Sequence, residues 1–290
     1  MELVIETVSE MERIGFIGAG NMCNALVTGL ISSGYPVSSI CVSAPSNRNL
    51  QRFANIGCSV TNNNSDLLPE NQYECKIIFL CVKPTIINSC TRENPFICYN
   101  GKKSVIIISV LAGTTLNKLR EAIICNHSSE KKCECISLYR TMPNVACTVG
   151  QGVFGLCTDK SCQSIDDRVV SLLRKLGVCE MVLESQMNAI TGVAGSGIAF
   201  VYTLIQSMSD GGVKMGLPRN LSTCFAVQTF LGAAVMVEKT GKHPIALRDE
   251  VCSPGGTTIH GIHEIEKGAV PAAIMNAVEA ATKRAQELSG

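Results

Sequence analysis

Short apolar runs alternate with longer amphipathic stretches through the first part of the chain. Residues 13–18 read as a β-strand, 21–32 as a helix of small residues, 40–43 as a second strand and 49–55 as a helix. Residues 77–82 are continuously apolar, as expected of a strand covered on both faces, and 105–110 repeat the pattern. Further strands are expected at 135–138 and 153–156, with a helix at 166–176. Strands separated by helices imply parallel pairing through right-handed crossovers, hence a Rossmann-type, doubly wound α/β sheet.

The pattern changes near Glu184, beyond which strand signals nearly vanish. Residues 186–215 read as one long helical stretch, and Gly216 and Pro218 as a stop and restart. Helices follow at 220–240, 257–266 and 271–288, the last with Pro271 suited to a first turn. The expected organisation is a dinucleotide-binding domain over 1–180 and an all-α domain over 181–290.

Composition narrows the class. Hydrophobic residues are 46% and charged residues only 17%, a balance expected of a chain that hides surface in subunit contacts. A net charge of +1 argues against a nucleic-acid partner. The 16 cysteines are scattered without any Cys-x-x-Cys pair, so zinc is not expected and the thiols read as reduced fillers of a cytoplasmic protein. The start, with Glu2, Glu6, Glu10 and Glu12, has neither the apolar run of a signal peptide nor the basic character of a transit peptide. No apolar run free of charge and turn signals reads as a membrane span. His260 and His263 with Glu264 share one helical turn, which supplies too few ligands for a metal.

Gly18-Ala19-Gly20-Asn21-Met22-Cys23 follows a strand and opens a helix. The first glycine permits a tight turn, the second lets a pyrophosphate approach the backbone, and the helix start offers free N–H groups to the anion. Cys23 stands where a third small residue is usual. An acid at the end of the second strand would bond the ribose of NAD; here Ser43-Ala44-Pro45-Ser46-Asn47-Arg48 contains none. Ser46 and Arg48 suit a 2′-phosphate instead, so NADPH is the expected cofactor, with NADH the alternative. Lys83 and Pro84, after the strand at 77–82, and Ala112, after the strand at 105–110, lie where ligands of open α/β sheets bind.

In the helical half, Asp249-Glu250-Val251-Cys252-Ser253-Pro254-Gly255-Gly256-Thr257-Thr258 is the most informative segment. Ser253 is placed to cap a helix and Pro254 to enter its first turn. The N–H groups from Gly255, Gly256, Thr257 and Thr258 can converge on a carboxylate, with two hydroxyls for a second polar atom.

These residues resemble the pyrroline-5-carboxylate reductase family. The resemblance runs from about residue 13 to the end and is densest at 253–258. Supporting motifs are Gly15-Phe16-Ile17-Gly18-Ala19-Gly20-Asn21-Met22, Val82-Lys83-Pro84, Arg140-Thr141-Met142-Pro143-Asn144, Thr191-Gly192-Val193-Ala194-Gly195-Ser196-Gly197 and Asp210-Gly211-Gly212-Val213-Lys214-Met215-Gly216-Leu217-Pro218. Ser43-Ala44-Pro45, Ile198-Ala199-Phe200 and Ala277-Val278-Glu279-Ala280-Ala281-Thr282 are most similar to its cytosolic animal branch. The resemblance implies a Rossmann domain followed by a helical dimerisation domain, with dimers assembling into a decamer. It implies reduction of the cyclic imine 1-pyrroline-5-carboxylate to L-proline. It places Ala19, Asn21, Met22, Ala44, Ser46, Asn64, Val82, Lys83 and Ala112 at the cofactor, and Glu184, Thr257 and Thr258 at the substrate.

Such a reduction needs hydride on carbon and a proton on nitrogen, so no nucleophile or triad is required. Thr258 is the candidate catalytic contact to the ring nitrogen. A β-hydroxyacid or other imine dehydrogenase with a helical second domain is the alternative; Lys214 stands where its proton relay would be, but its glycine-rich surroundings suit packing better.

Overall fold

The computed structural model describes residues 12–87, 103–123, 135–159 and 166–289. Glu2, Glu6 and Glu10 lie outside the described residues. The chain forms two compact units: one runs to Gly195 and takes back the chain from Thr282, and the other is Ser196–Ala281. The boundary expected from sequence, at 180/181, coincides with the last strand's end; the units part within a helix further on.

The first unit holds an eight-stranded sheet. Its elements are β1 (Ile14–Ile17), α1 (Asn21–Ser32), β2 (Ile40–Ser43), α2 (Asn47–Asn55), β3 (Ser59–Thr61), β4 (Ile77–Leu80), β5 (Val105–Ser109), α3 (Leu116–Ile123), β6 (Ile136–Met142), β7 (Gly152–Thr158), α4 (Asp167–Arg174) and β8 (Gly177–Met181). Spatial order is β3-β2-β1-β4-β5-β6-β7-β8. The strands stay parallel, but the order in which they are added reverses between β1 and β4, which opens a crevice beyond their carboxyl ends.

Alternation along each central strand builds two cores. Ile14, Phe16, Phe79, Ile106 and Ile108 face α1 residues Leu26, Val27 and Leu30, and Phe16 stacks on Phe79 with centroids 4.9 Å apart. Ile17, Ile78, Leu80 and Ile107 face the other way, onto Leu116, Leu119 and Ile123 of α3. Each such side chain, fully buried, contributes about 1.5–3 kcal/mol. The continuous apolar runs thus reflect a sheet covered on both faces.

The expected parallel pairing holds from β3 through to β6 and again between β7 and β8, with one exception. β6 and β7 are antiparallel, with Tyr139 opposite Thr158. Residues 143–151 connect them, a link too short for the helical crossover that parallel neighbours need. β8 pairs parallel with β7 and is an edge strand, short and half exposed, so its alternation is too weak to read. β3 and α3 were not anticipated either, being short and polar on one side.

Next come α5 (Met187–Ile190), a π-helical turn at Thr191–Ser196, α6 (Gly197–Lys214), α7 (Arg219–Thr240), α8 (Pro244–Glu250), α9 (Thr257–Lys267) and α10 (Val270–Ser289). The Asn144 amide donates to the Ala194 carbonyl inside the π turn (3.1 Å), the kind of insertion that interrupts an α-helical ladder. In the second unit α6 and α7 form a hairpin, closed by Gly216 at φ +96° with Leu217 N–H donating to Gly212 O. They approach so closely that a Cβ on Gly212 would lie 2.1 Å from Ser222 Oγ.

Only Ser209, Ser222 and Ala226 are buried between these two helices, whereas Tyr202, Met208, Phe225, Leu231 and Met236 stand exposed. The helix 184–214 and the helix 219–240 each reach a mean hydropathy of 1.4 and are long enough to cross a membrane. The sequence showed no such span because Asp210, Gly211, Gly212 and Lys214 interrupt the first apolar run, and Gly232, Glu238 and Lys239 the second. A helix apolar on every side must be covered by something other than its own chain. A second copy is the expected cover: light scattering should give a mass of at least two chains. Phe225→Arg combined with Leu231→Arg should shift it to smaller species, and a wild-type monomer would overturn the reading.

Candidate active site

The crevice at the switch between β1 and β4 collects the carboxyl ends of β1, β2, β4 and β5. Gly18 turns sharply out of β1 at φ +102°, a conformation that glycine adopts without strain. Its N–H donates to Ser43 O at 2.8 Å, and a Cβ there would lie 2.8 Å from the carbonyl carbon and oxygen of Cys81. Ala19 is buried, and Gly20 is the N-cap of α1 with no side chain capping the helix. The first-turn amides of α1, from Asn21 and Met22 onward, are therefore left for an external acceptor. Burial and the neighbouring Cys81 thiol push the Cys23 thiol well above its ordinary pKa, so it serves as a packing group.

The ribose end is built from β2. Ser43 Oγ donates to Asn64 Oδ1 at 2.5 Å, and Asn62 donates to Ala44 O at 3.0 Å, which ties the 62–64 loop to the strand end. Ser46 is the N-cap of α2, and Arg48 stands exposed in its first turn. No carboxylate lies among residues 43–48. Val82 is half-buried, whereas Lys83 and Pro84 are exposed beyond β4. Ala112 is half-buried beyond β5, and a Cβ on its neighbour Gly113 (φ +69°) would lie 2.9 Å from the carbonyl oxygen of Leu288. The tight glycine turn, the uncapped helix start and an acid-free strand end fit a nicotinamide dinucleotide.

Arg52 was missed at the level of sequence. Its Nη2 donates to Ala19 O at 2.5 Å and Gly20 O at 2.7 Å. The available signal was its place one helical turn after Arg48 in the helix that follows β2.

Glu184 lies in the same unit as the crevice. Its Oε1 accepts the Leu116 N–H at 2.7 Å and an Arg140 guanidinium hydrogen at 3.0 Å. The Arg140 side chain is 6% exposed and that of Glu184 34%, so the arginine charge is buried and the carboxylate half open. Arg140, in the motif at residues 140–144, thus fixes the orientation of a candidate substrate residue.

In the second unit the loop before α9 departs from its expected cap. Ser253 does not cap the helix, and Pro254 is not in its first turn. The Ser253 carbonyl accepts the Gly256 N–H at 3.0 Å, Gly255 sits at φ +66°, and the N-cap is Gly256 without a side-chain cap. The reason is the left-handed glycine, which turns the chain once more before the helix begins. Thr257 is exposed and Thr258 half-buried at the start of α9, beside amides that no side chain caps. His260 Nδ1 lies 2.9 Å from Gly256 O, and among the described residues no cluster of three metal-ligating side chains occurs.

Comparison with known proteins agrees with this geometry. Residues 13–113 match the family described as NADP oxidoreductase, coenzyme F420-dependent, and residues 184–288 match pyrroline-5-carboxylate reductase dimerisation. Pyrroline-5-carboxylate reductase 3 of Danio rerio is 42% identical over 278 residues, covering 95% of this chain and 91% of its own. The Arabidopsis thaliana pyrroline-5-carboxylate reductase is 37% identical over 291 residues, 99% of each chain. The crystal structure of Plasmodium falciparum pyrroline carboxylate reductase with NADP bound superposes with a TM-score of 0.80 at 31% identity, covering 97% of this chain and 99% of that one. With relatives of this identity matched over nearly their whole length, this chain belongs to the pyrroline-5-carboxylate reductase family.

Proposed function

We propose that the protein reduces 1-pyrroline-5-carboxylate to L-proline with NADPH as the preferred donor, in the cytoplasm, as a dimer that assembles further into a decamer. The observation that carries the reading is the glycine-turned loop at Ser253–Thr258, which opens α9 with uncapped amides in a chain that also holds a dinucleotide crevice.

A bound reduced nicotinamide supplies the hydride. The residues of this chain do the rest by position. The first-turn amides of α9, with Gly255 and Gly256, take the substrate carboxylate. The Thr258 hydroxyl faces the ring nitrogen, where hydrogen bonding changes most as hydride reaches the imine carbon. Glu184 is held in one orientation through a single oxygen by Arg140 and the Leu116 N–H, which leaves its other oxygen for the substrate. The proton that nitrogen keeps comes from solvent, since a threonine hydroxyl is too weak an acid to give it.

NADPH preference is supported by the absence of acid between Ser43 and Arg48 and by the exposed guanidinium of Arg48 at the start of α2. The cytoplasmic assignment is supported by the scattered cysteines, which form no Cys-x-x-Cys pair. Assembly follows from the uncovered apolar helices.

The decisive assay is imine-dependent oxidation of NADPH at neutral pH, with proline-dependent reduction of NADP at high pH as its reverse. Absence of both activities would overturn the proposal. Thr258→Val keeps the shape and loses the donor, so kcat/KM for the imine should fall about tenfold to a hundredfold, equivalent to roughly 1–3 kcal/mol. Thr258→Ser should retain much of the activity, and NADPH affinity should change little in either variant. Wild-type rates for Thr258→Val would reduce the loop to an anion clamp. Wild-type enzyme should also show a higher kcat/KM with NADPH than with NADH, and Arg48→Ala should narrow that gap; a wild-type enzyme favouring NADH refutes the preference.

A further inference from the structure

We propose that Arg52 is a positioning residue that holds the Gly18–Gly20 loop in its phosphate-accepting shape, for NADPH and NADH alike. This rests on the reading of that loop as the dinucleotide site.

One guanidinium nitrogen, Nη2, donates to two successive carbonyls, Ala19 O at 2.5 Å and Gly20 O at 2.7 Å. In a planar trans peptide the C=O and the following N–H point in opposite directions. Anchoring Ala19 O therefore turns the Gly20 N–H to the far side of the loop, and anchoring Gly20 O does the same for the Asn21 N–H. Those are the donors that open α1, which no side chain caps. A loop containing Gly18 and Gly20 has little backbone preference of its own, so an external anchor decides where its donors aim.

The anchor is itself held. The guanidinium lies 4.8 Å from the ring centroid of Phe53, which is fully buried. Arg52 Nε is buried and lacks a hydrogen-bond partner. A side chain kept only for packing would avoid that orphan donor, as Met does at similar length. The arginine is retained for its far end, where the two carbonyls are.

Arg48, one turn earlier on α2, is exposed and has no hydrogen bond or ion pair among the described residues. The two arginines divide the work: Arg48 discriminates the 2′-phosphate, and Arg52 shapes the part of the site that both dinucleotides share.

The test is calorimetric titration of NADPH and of NADH into full-length wild-type, Arg52→Met, Arg52→Lys and Arg48→Ala protein, with melting temperatures and steady-state kinetics on each. Arg52→Met should weaken both Kd values by the same factor, about tenfold, the scale of a lost charge-assisted hydrogen bond. Its melting temperature should hold or rise, because the orphan donor is gone. Its kcat at saturating cofactor should persist while KM for the cofactor rises, and Arg52→Lys should recover part of the affinity. Arg48→Ala should weaken NADPH alone. Unchanged Kd values for Arg52→Met overturn the proposal. Weakening confined to NADPH overturns it too, making Arg52 a direct phosphate ligand. Affinity lost only together with melting temperature, without recovery in Arg52→Lys, overturns it in favour of a folding role. Wild-type protein that binds neither dinucleotide defeats the cofactor reading itself, a result distinct from all of these.

Discussion

The first unit depends on one close approach: the backbone of Gly18 against the carbonyl of Cys81, where even a Cβ would sit at 2.8 Å. That contact brings the loop after β1 onto the strand end of β4, and the Gly18 N–H bond to Ser43 O brings in β2. Three carboxyl ends thereby meet at the switch point of the sheet. Everything placed around the crevice follows from this junction, including the uncapped start of α1 and the ties of Asn62 to Ala44 and of Ser43 to Asn64. A side chain at residue 18 would have to displace backbone, which has no rotamer to yield.

The second unit rests on a different constraint. Its hairpin of α6 and α7 is held by small and polar contacts: Ser222 Oγ donates to Ser209 O at 2.6 Å, and Ser209 and Thr223 hydroxyls pair at 2.8 Å. Such contacts fix how the helices cross but bury little apolar area. The large apolar side chains point elsewhere, so most of the hydrophobic stabilisation available to this unit is unrealised within one chain. The match of residues 184–288 to a dimerisation family accounts for that surplus. Stability and assembly of this half are then one quantity.

Arg140 and Glu184 show how a buried charge is put to use. An arginine side chain with 6% exposure is strongly unfavourable unless paired. Here the pairing occupies one oxygen of Glu184, and the first amide of α3 occupies it as well. Glu184 is thus held in one orientation by the sheet rather than by its own flexible stem. The motif Arg140-Thr141-Met142-Pro143-Asn144 serves two purposes along a few residues, since Asn144 also reaches the π turn at Ala194.

The sequence by itself determined whatever depends on local pattern. Alternation and apolar runs located β1, β2, β4 and β5, because a sheet buried on both faces demands them. The glycine turn at Gly18 and the double glycine at 255–256 were legible because glycine has a specific backbone use. The change to a helical half near Glu184 was legible from periodicity. Tertiary structure alone decided the rest. The direction of β7 depended on the length and course of a connection, and β3 and β8 on edge pairing that leaves little imprint on side-chain pattern. The cap before α9 depended on a single left-handed φ at Gly255, which shifted the helix start past Ser253 and Pro254. The partners of Arg52 and Glu184 are distant in sequence, at Ala19 and Gly20 and at Leu116 and Arg140, and only folding joins them. A charged side chain advertises that it needs a partner; only the packed chain says which one it finds.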